Sequence, residues 1–470
     1  MNPQTRVFKN FSLAVSIMAV SVSCQNKEKT EEETDVSPSE KKPNVVFVFA
    51  DDLGWKRLGC YGTDFYETPN LDNLASQGML FTQAYTAASI SSPTRASLMT
   101  GKYPARLNVT DFIPGGEYPE MPLQRPDWQK YLPLNEKTLG EAFNQNGYST
   151  AYFGKWHLSK EKMPPESLSH NPDKQGFDES FVTYKPVPSM AQPWQKDPAD
   201  DPHNVDTITN RAVNFIKSHQ DEPFFLFVSP NSVHTPLVED QKLISKYEDK
   251  WGSRIAENTP VLAAMIETLD KNVGRIWSTL KETGIEENTI FIFYSDNGGL
   301  ETSADQTPFR RGKGWVYEGG IRVPLIIRWE GQIEEGSRSD AMVSSIDFYP
   351  TLLNMTGIEM DKKICDGKNF FPVLKGEKES VRNTLYWHYP HYHGSGMKPA
   401  GAIRKGKYKM VVWYEEMLLN ESDPYELYNL ERDRGETVDL KEELPGKLNE
   451  LKKAFKNWRE DVDAQMPKVR

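Results

Sequence analysis

Two pairs of oxygen-bearing side chains directly follow two apolar segments of the chain. Asp51 and Asp52 end the run PNVVFVFADD, which starts at residue 43, and Asp296 and Asn297 end TIFIFYSDN, which starts at residue 289. Carboxylate and amide oxygens, without histidine or cysteine, are ligands that suit Ca²⁺ or Mg²⁺ rather than zinc. Adjacent aspartates after a strand can also cap the following turn, but the second pair favours a metal site.

A predicted helix start follows in the stretch SISSPTRASLMTG, residues 89–101. Pro93 suits the first helical position, which makes Ser92 the predicted N-cap and places Ser91 just before it. Backbone N–H groups and the positive end of the helix dipole favour an anion here. Arg95 is unfavourable for the dipole in the first turn, so it indicates a carboxylate or an anionic centre near Ser91. The alternative is a plain capped helix with a surface arginine.

Cationic and proton-carrying side chains occur in three further segments. Lys155 and His157 lie two residues apart in GKWHL, His234 lies in SVHTP, and Lys313 lies in RRGKGWVYEGGIRVP. Any one of them alone would usually be structural or solvated. Together with a divalent cation they suit a tetrahedral oxyanion, because the metal and lysines neutralise its oxygens and the histidines move protons.

The elements that must position these residues alternate between amphipathic helices and buried strands. This alternation, repeated four times before Pro324, predicts an α/β fold with a large, doubly wound, mixed but mostly parallel sheet flanked by helices. Asp51, Lys155, His234 and Asp296 all fall at or just past the carboxyl end of a predicted strand. In open α/β sheets that edge is where ligands bind.

The pattern changes towards the C-terminus. Short apolar segments such as NTLYWHYP and GAIRKGKYKMVVWYE predict antiparallel strands, and residues 441–462 predict a closing helix. We therefore predict a catalytic domain over residues 43–375 and a smaller C-terminal α+β subdomain with a short antiparallel sheet over residues 376–470.

Composition limits the class of protein. The 470 residues carry a formal net charge of -11, which argues against nucleic acid as a partner. Positive charge for an anionic substrate must therefore be concentrated locally. The three cysteines, Cys24, Cys60 and Cys365, show no CxxC spacing, so neither a zinc knuckle nor a disulfide framework is expected.

The first 42 residues resemble an export signal followed by a tether. Arg6 and Lys9 precede a short apolar run that ends at Ser23-Cys24, too short for a transmembrane helix. We predict a signal peptide over residues 1–23, lipidation of Cys24 and a disordered tether over residues 24–42. Ordinary secretion with cleavage near Ser23 is the alternative. The expected location is the periplasm or, through the lipid anchor, the outer membrane, with secretion as a further option.

The stretch SSPTRASLMTG, from Ser91, resembles the signature of the type I, formylglycine-dependent sulfatases, which is Cys/Ser-x-Pro-x-Arg followed by Leu-x-Thr-Gly. ADDLGW, GKWHL, HTP, SDNGG and KGWVYEGGIRVP are similar to the family's other blocks and occur in the family's order. The resemblance extends from Pro43 to the C-terminus. It implies the alkaline-phosphatase-like fold and the hydrolysis of sulfate esters.

The resemblance also implies a modified side chain and a metal. Ser91 would be oxidised to formylglycine (3-oxoalanine), whose hydrated gem-diol attacks sulfur. Most relatives have cysteine here; the serine form is matured by a radical S-adenosylmethionine, iron–sulfur enzyme, although an engineered Cys-to-Ser change would give the same sequence. One Ca²⁺ per chain would be bound by Asp51, Asp52, Asp296, Asn297 and the modified Ser91.

The remaining catalytic roles are likewise implied by the resemblance. Arg95 and Lys155 would steady the gem-diol. His157 would take the proton that releases sulfate from the covalent intermediate and regenerates the aldehyde. His234 would be the acid for the leaving alcohol, and Lys313 would contact the sulfate and share that role.

The segment YWHYPHYHGSGMKPAGAIRKGKYK is a candidate for substrate recognition. Aromatic faces with arginine and histidine donors suit sugar rings that carry sulfate or carboxylate groups, and we expect contacts from His388, His391, His393 and Arg404. A metal-binding histidine tract and a solvated loop are the rival interpretations. The expected substrate is a sulfated polysaccharide or oligosaccharide.

Two other functions compete with the sulfatase interpretation. A phosphomonoesterase or phosphodiesterase of the same superfamily would be expected to bind a second metal, with more histidine ligands near Asp296, where this chain has Asn297. A non-catalytic lipoprotein that binds sulfated glycans is the third interpretation, and it requires that Ser91 stays unmodified.

Overall fold

The apolar run before Asp51 forms a central strand of a large sheet in the computed structural model, which describes residues 41–160, 169–185, 200–251, 259–360, 365–420 and 422–470. Every residue of this strand, Asn44–Ala50, is buried. Val45 and Phe47 pack into one hydrophobic cluster, and Val46 and Val48 pack into another. Successive side chains of a strand point to opposite faces, so an unbroken apolar run means that both faces of the sheet are covered.

The elements are numbered here in chain order. The strands are β1 Asn44–Ala50, β2 Met79–Phe81, β3 Ala84–Tyr85, β4 Leu123–Gln124, β5 Ser149–Lys155, β6 Glu179–Thr183, β7 Phe224–Ser229, β8 Thr289–Ser295, β9 Leu325–Arg328, β10 Ser337–Ser339, β11 Val343–Ser344, β12 Thr384–Tyr389, β13 Ala400–Lys405, β14 Tyr408–Trp413, β15 Tyr425–Asn429 and β16 Lys468–Val469. The helices are α1 Pro69–Ser76, α2 Ser91–Thr100, α3 Pro104–Leu107, α4 Leu139–Asn144, α5 Val205–Ser218, α6 Gln241–Trp251, α7 Thr259–Glu282, α8 Glu318–Ile321, α9 Phe348–Met355, α10 Phe371–Leu374, α11 Tyr414–Leu419 and α12 Pro445–Asp461.

The main sheet has eight strands in the order β10-β2-β9-β8-β1-β7-β5-β6. The five strands from β8 to β6 are mutually parallel, whereas β9 pairs antiparallel with both β8 and β2. Helices α5 and α7 cover one face, and α2 and α9 cover the other. The predicted α/β fold with a mixed, mostly parallel sheet is confirmed.

A second sheet, β12-β13-β14-β15, is antiparallel throughout, as expected for the C-terminal part, and α12 packs against it. Residues 41–470 form one compact unit, so the domain boundary at residue 376 stays a prediction. The predicted signal peptide, Cys24 and the tether up to residue 40 lie outside the described residues. No helix in the described part of the chain combines the length and apolar character needed to cross a bilayer.

A buried ion-pair cluster joins the small sheet to the main domain. The ammonium of Lys409, on β14, lies 3.1 Å from Glu318 Oε1 on α8 and 2.8 Å from Glu436 Oε1, and all three side chains are 0% exposed. Arg322 adds a second cation 3.2 Å from Glu318. The pKa of Glu436 is raised to about 7 by burial, against the lowering effect of Lys409. Lys409 therefore compensates two carboxylates that have no access to water.

Replacing Lys409 tests this dependence. Lys409→Met should lower the free energy of unfolding by about 3–5 kcal/mol, because it leaves buried carboxylates without their cation. The measurement is urea denaturation followed by fluorescence. Lys407→Met is the control, since this lysine is exposed and pairs with exposed Glu431 at 3.3 Å. Equal denaturation midpoints for the two variants would contradict the assigned role.

Candidate active site

The predicted catalytic and metal-binding residues converge at the carboxyl edge of the main sheet. Strands β1, β5 and β8 end there, and the start of α2 and the glycine-rich loop before α8 close the site from the side. Gly298, just after β8, lies so close to α8 that a Cβ would come within 1.8 Å of the Gly319 carbonyl oxygen. Its N–H donates to the Gly320 carbonyl at 2.9 Å. The absence of a side chain at Gly298 thus lets the segment after β8 meet the helix that follows the glycine-rich loop.

Ser91 is at the centre of these residues. Its hydroxyl oxygen lies 3.0 Å from Lys155 Nζ and 3.4 Å from both Asp51 Oδ1 and Asn297 Oδ1. The side chain is buried, with 2% of Ser91 exposed, yet it lines a cavity. An oxygen on the Ser91 Cβ therefore contacts both a cation and metal-type oxygen ligands.

The start of α2 differs from the prediction by two residues. The helix begins at Ser91, and Ile90 is the N-cap residue with no side-chain cap. Ser92 is not the N-cap, because its hydroxyl donates to the His157 carbonyl at 2.8 Å and accepts the N–H of Ile113 at 3.1 Å. Ser92 instead fixes the loops around the site to the helix.

Arg95 binds a carboxylate, as its place in the first turn indicates. Its Nη2 donates to Asp296 Oδ2 at 2.8 Å, and its Nη1 donates to the Lys155 carbonyl and to Ser229 Oγ at 2.8 and 2.7 Å. The guanidinium lies over the ring of Phe49, 4.9 Å from its centroid. Arg95 therefore ties the ends of β5, β7 and β8 together, and no hydrogen bond joins it to Ser91 among the contacts of the described residues.

The carboxylates are neutralised by lysines. Lys155 Nζ lies 2.8 Å from both oxygens of Asp51, and Lys313 Nζ lies 2.7 Å from Asp52 Oδ2. Burial raises the pKa of Asp51 to about 7 despite Lys155, and Asp296 raises it further. For Asp52, burial also acts to raise the pKa, but Lys313 and His234 outweigh it and lower the pKa. Burial, more than the balance of charges, thus sets the pKa of Asp51.

The residues present fit a hard divalent cation. Oxygens of Asp51 and Asp52 and a nitrogen of His234 lie within 4.8 Å of one another. Asn297 turns its Oδ1 towards Ser91, while its Nδ2 donates to Asp52 Oδ1 at 2.8 Å. Carboxylate and amide oxygens gathered in one buried place are a donor set for Ca²⁺ or Mg²⁺. His234 is a nitrogen neighbour that the sequence did not assign to the metal.

His157 is held as a proton acceptor. Its Nε2 lies 2.8 Å from the Ile113 carbonyl, which requires a proton on Nε2, and its Nδ1 is buried without a hydrogen-bond partner. Burial and the Lys155 ammonium lower the pKa of His157 well below its usual value. The backbone of His157 is in the left-handed region, at φ 61°, so the chain leaves the extended conformation of β5 by this residue.

His234 has the opposite tautomer. Its Nδ1 lies 2.6 Å from the Thr235 carbonyl and carries the proton, which leaves Nε2 3.7 Å from Asp52 Oδ2. Burial, with Lys313, lowers the pKa of His234 to about 3. Lys313 has a raised pKa, because Asp52 outweighs the effect of burial. His234 Nε2 and the charged Lys313 Nζ thus both face Asp52 Oδ2.

A cavity of about 350 Å³ opens above Ser91. Asp52, His234 and Lys313 line it near Ser91, and its wall includes residues that the sequence analysis missed. These are Phe112, Lys185, Glu301 and Thr302. Glu301 and Thr302 could have been found from their position just after SDNGG, whereas no pattern marked Phe112 or Lys185.

Of the four residues predicted to bind substrate, His393 alone lines this cavity. The Ser395 N–H donates to its Nδ1 at 3.1 Å, so the neutral ring carries its proton on Nε2. Burial and Lys313 lower the pKa of His393 to about 4, which keeps the ring neutral at ordinary pH. His393 is therefore a fixed hydrogen-bond donor in the wall.

The structure corrects the prediction for the other three. His388 is buried, with its ring nitrogens 2.7 Å from Tyr414 Oη and 2.9 Å from the Gln465 carbonyl. His391 is buried, with Nε2 2.9 Å from Thr110 Oγ1. Arg404 is buried and donates to Tyr85 and Gln83. These side chains hold the C-terminal part in place through hydrogen bonds to other protein groups, and of the ring nitrogens of the two histidines only His391 Nδ1 is buried without a partner.

The chain matches the family model described as Sulfatase over residues 43–358, and the model described as N-sulphoglucosamine sulphohydrolase, C-terminal, over residues 311–461. It is 32% identical to a sulfatase of Formosa agariphila, over 86% of this chain and 85% of that protein. It is 30% identical to arylsulfatase A of Homo sapiens, over 88% of this chain and 87% of that protein. The solved structure of Ps i-CgsB in complex with k-i-k-neocarrahexaose is similar, with a TM-score of 0.75, 28% identity, and coverage of 90% of this chain and 94% of that one.

The two histidines His388 and His393 should respond differently to truncation. His388→Ala should lower the free energy of unfolding by about 2–4 kcal/mol, because it removes two buried hydrogen bonds and leaves a cavity. His393→Ala should change it by less than about 1 kcal/mol, because the ring borders an open cavity. Urea denaturation measures both. A larger loss of unfolding free energy for His393→Ala than for His388→Ala would contradict the different packing assigned to the two rings.

Proposed function

The chain belongs to the sulfatase family, and we propose that it removes sulfate from a sulfated carbohydrate with a formylglycine made from Ser91 and one bound Ca²⁺. The observation that carries the proposal is the place of the Ser91 hydroxyl, buried below a cavity and within 3.4 Å of Lys155, Asp51 and Asn297. A serine in that place has a cation and metal-type ligands at its oxygen, which a plain structural serine does not need.

The residues that would hold Ca²⁺ are those of the predicted set, Asp51, Asp52, Asp296, Asn297 and the modified Ser91. When present, a hydrated formylglycine would supply the oxygens for attack on sulfur and for release of sulfate, and Ca²⁺ would supply positive charge beside them. Three carboxylates face three cations in the chain itself. A divalent cation would leave an excess of positive charge, which suits an anionic ester.

Five side chains of the chain supply the remaining functions. Lys155 holds the oxygen at Ser91 Cβ from 3.0 Å, and Arg95 positions Lys155 through its carbonyl. The unpaired Nδ1 of His157 is suited to take a proton. Lys313, charged and on the cavity wall, is placed to bind a sulfate oxygen. Lys313 and His234 are the two candidates for the proton that the leaving alcohol needs.

The polar side chains of the cavity wall support a carbohydrate as the proposed substrate. His393 offers a fixed N–H donor, Glu301 an acceptor and Lys185 a cation, which are groups that bind hydroxyl and anionic substituents of a sugar. The volume of about 350 Å³ admits a small part of a glycan at a time. The similar structure of Ps i-CgsB was solved with k-i-k-neocarrahexaose bound, which is consistent with this substrate class.

We also propose that the chain is exported, lipidated at Cys24 and matured by a radical S-adenosylmethionine sulfatase-maturing enzyme. The support is the sequence: the apolar run before Ser23-Cys24, and serine rather than cysteine at position 91. The location would be the periplasm or the outer membrane.

The modification of Ser91 tests the proposal directly. In protein purified from its native host, the peptide containing Ser91 should be lighter than the serine form by two hydrogen atoms in mass spectrometry. Ser91→Ala should lower kcat/KM for a sugar sulfate by at least about 10⁴-fold, because the reacting oxygen is lost. Ser97→Ala is the control, since Ser97 lies in the same helix and its hydroxyl bonds to the Thr94 carbonyl.

The outcomes separate the three functions. Sulfate release by protein with an unmodified serine would refute the proposal that formylglycine is the nucleophile. An unmodified and inactive protein that still binds sulfated glycans would favour the binding lipoprotein. Release of phosphate, but not of sulfate, from matched esters would favour the phosphoesterase.

His234→Gln should reveal whether this residue serves the leaving group. We expect kcat for a sugar sulfate to fall by about 10²–10⁴-fold, with a much smaller loss for nitrophenyl sulfate, whose leaving group needs no proton. His203→Gln is the control, because His203 bonds to the Pro236 carbonyl at 3.0 Å and lies outside the cavity lining. An equal loss for both esters would assign the proton to Lys313 instead.

A further inference from the structure

A second groove lies in the C-terminal part, between α12 and the small sheet. Its volume is about 280 Å³, and it shares no lining residue with the cavity above Ser91. Its floor is apolar and includes Met410, Val412 and Phe455, all of them buried. Nothing in the proposed mechanism uses this groove.

The rim of the groove is cationic. Lys452, Lys453, Lys456 and Arg459 line it, and among the described lining residues there is no aspartate or glutamate. In a chain with a formal net charge of -11, four cations without an acidic lining residue are a local reversal of charge. Such a concentration attracts anions and excludes cationic partners.

Two of the four cations lie against aromatic rings rather than beside carboxylates. Lys452 Nζ lies 4.0 Å from the centroid of Tyr425, and the Arg459 guanidinium lies 5.4 Å from that of Phe455. Arg459 Nε is buried without a hydrogen-bond partner, and Lys456 has an ion pair with exposed Glu460 at the long distance of 3.8 Å. Rings fix the position of a cation without neutralising it, so its charge still acts on a ligand.

The spacing of these residues defines the shape of the ligand. Lys452, Lys456 and Arg459 follow one another at i, i+4 and i+7 of α12, so they form a row on one helix face of about 10 Å. A row of cations matches a ligand with repeated negative charges better than it matches a single ion. The apolar floor is buried behind the row, so it cannot insert into a lipid bilayer.

We propose that this groove is a second binding site for a sulfated polysaccharide, which holds the polymer while the cavity above Ser91 acts on it. The inference rests on the proposed function for its substrate class, but its binding site is separate. The sulfate groups would contact the row of cations, and the less polar faces of the sugar rings would lie towards the apolar floor.

The test uses a triple variant, Lys452→Gln with Lys453→Gln and Lys456→Gln. Lys453 and Lys456 are exposed and Lys452 is half-buried, so the fold should persist, and a thermal melt checks this. The control variant is Lys217→Gln with Lys242→Gln and Lys281→Gln, which removes the same charge from exposed positions of α5, α6 and α7. Both variants are compared with the full chain by affinity electrophoresis in gels containing iota-carrageenan, chondroitin sulfate or heparin.

We expect the triple variant to bind at least one of these polymers about tenfold more weakly than the control variant, with the difference reduced by salt. KM for a polymer that the enzyme desulfates should rise in the same proportion, while kcat/KM for nitrophenyl sulfate stays unchanged. Indistinguishable retardation of the two variants in all three polymers would overturn the proposal. The proposal would also be overturned if the three substitutions weakened binding to vesicles of phosphatidylcholine and phosphatidylglycerol more than they weakened binding to any of the polymers.

Failure of the second site and failure of the proposed function give different results. If the full chain releases no sulfate from any ester, the proposed function fails, and gel retardation still reports on the groove. If sulfate is released but retardation does not depend on the three lysines, only the second site fails.

Discussion

Three carboxylates buried together at the end of an apolar sheet are the constraint on which the rest of the site depends. Asp51, Asp52 and Asp296 lie within the edge of the sheet with at most 5% of each residue exposed. Ionised carboxylates are costly in such a place unless cations and hydrogen bonds compensate them. Lys155 and Arg95, together with a third cation from the glycine-rich loop, supply that compensation. The groups that would bind an oxyanion are therefore the same groups that permit the carboxylates to be buried.

Because the same cations must reach the buried carboxylates, the segments that carry them lie close together. Lys155 must extend from the end of its own strand to Asp51, and Lys313 must reach Asp52 from a different loop. Gly298 and the Gly319–Gly320 pair allow the backbones to approach within hydrogen-bonding distance. Cations placed in this way need little rearrangement when charge develops on a substrate, which is the condition for electrostatic stabilisation of a transition state.

The sheet and the position of the site were predictable because both follow from local patterns. An unbroken apolar run such as Phe47 and its neighbours requires cover on both faces, and polar residues after parallel strands must meet at one edge. The roles of His388 and Arg404 were not predictable, because a histidine or arginine near aromatic residues looks the same in a binding loop and in a buried network. Only tertiary packing distinguishes them, and Lys185 reaches the cavity with no pattern around it at all.

The buried network in the C-terminal part has a consequence for the active site. Arg404 donates to Tyr85, Tyr85 donates to Glu318 at 2.6 Å, and Lys409 neutralises Glu318. Glu318 begins α8, directly after the loop that carries Lys313, so the small sheet determines where that lysine lies. The same sheet leads through β12 to the His393 loop on the cavity wall. Arg404 is therefore linked through Tyr85 and Glu318 to the start of α8, even though its own side chain does not line the cavity above Ser91.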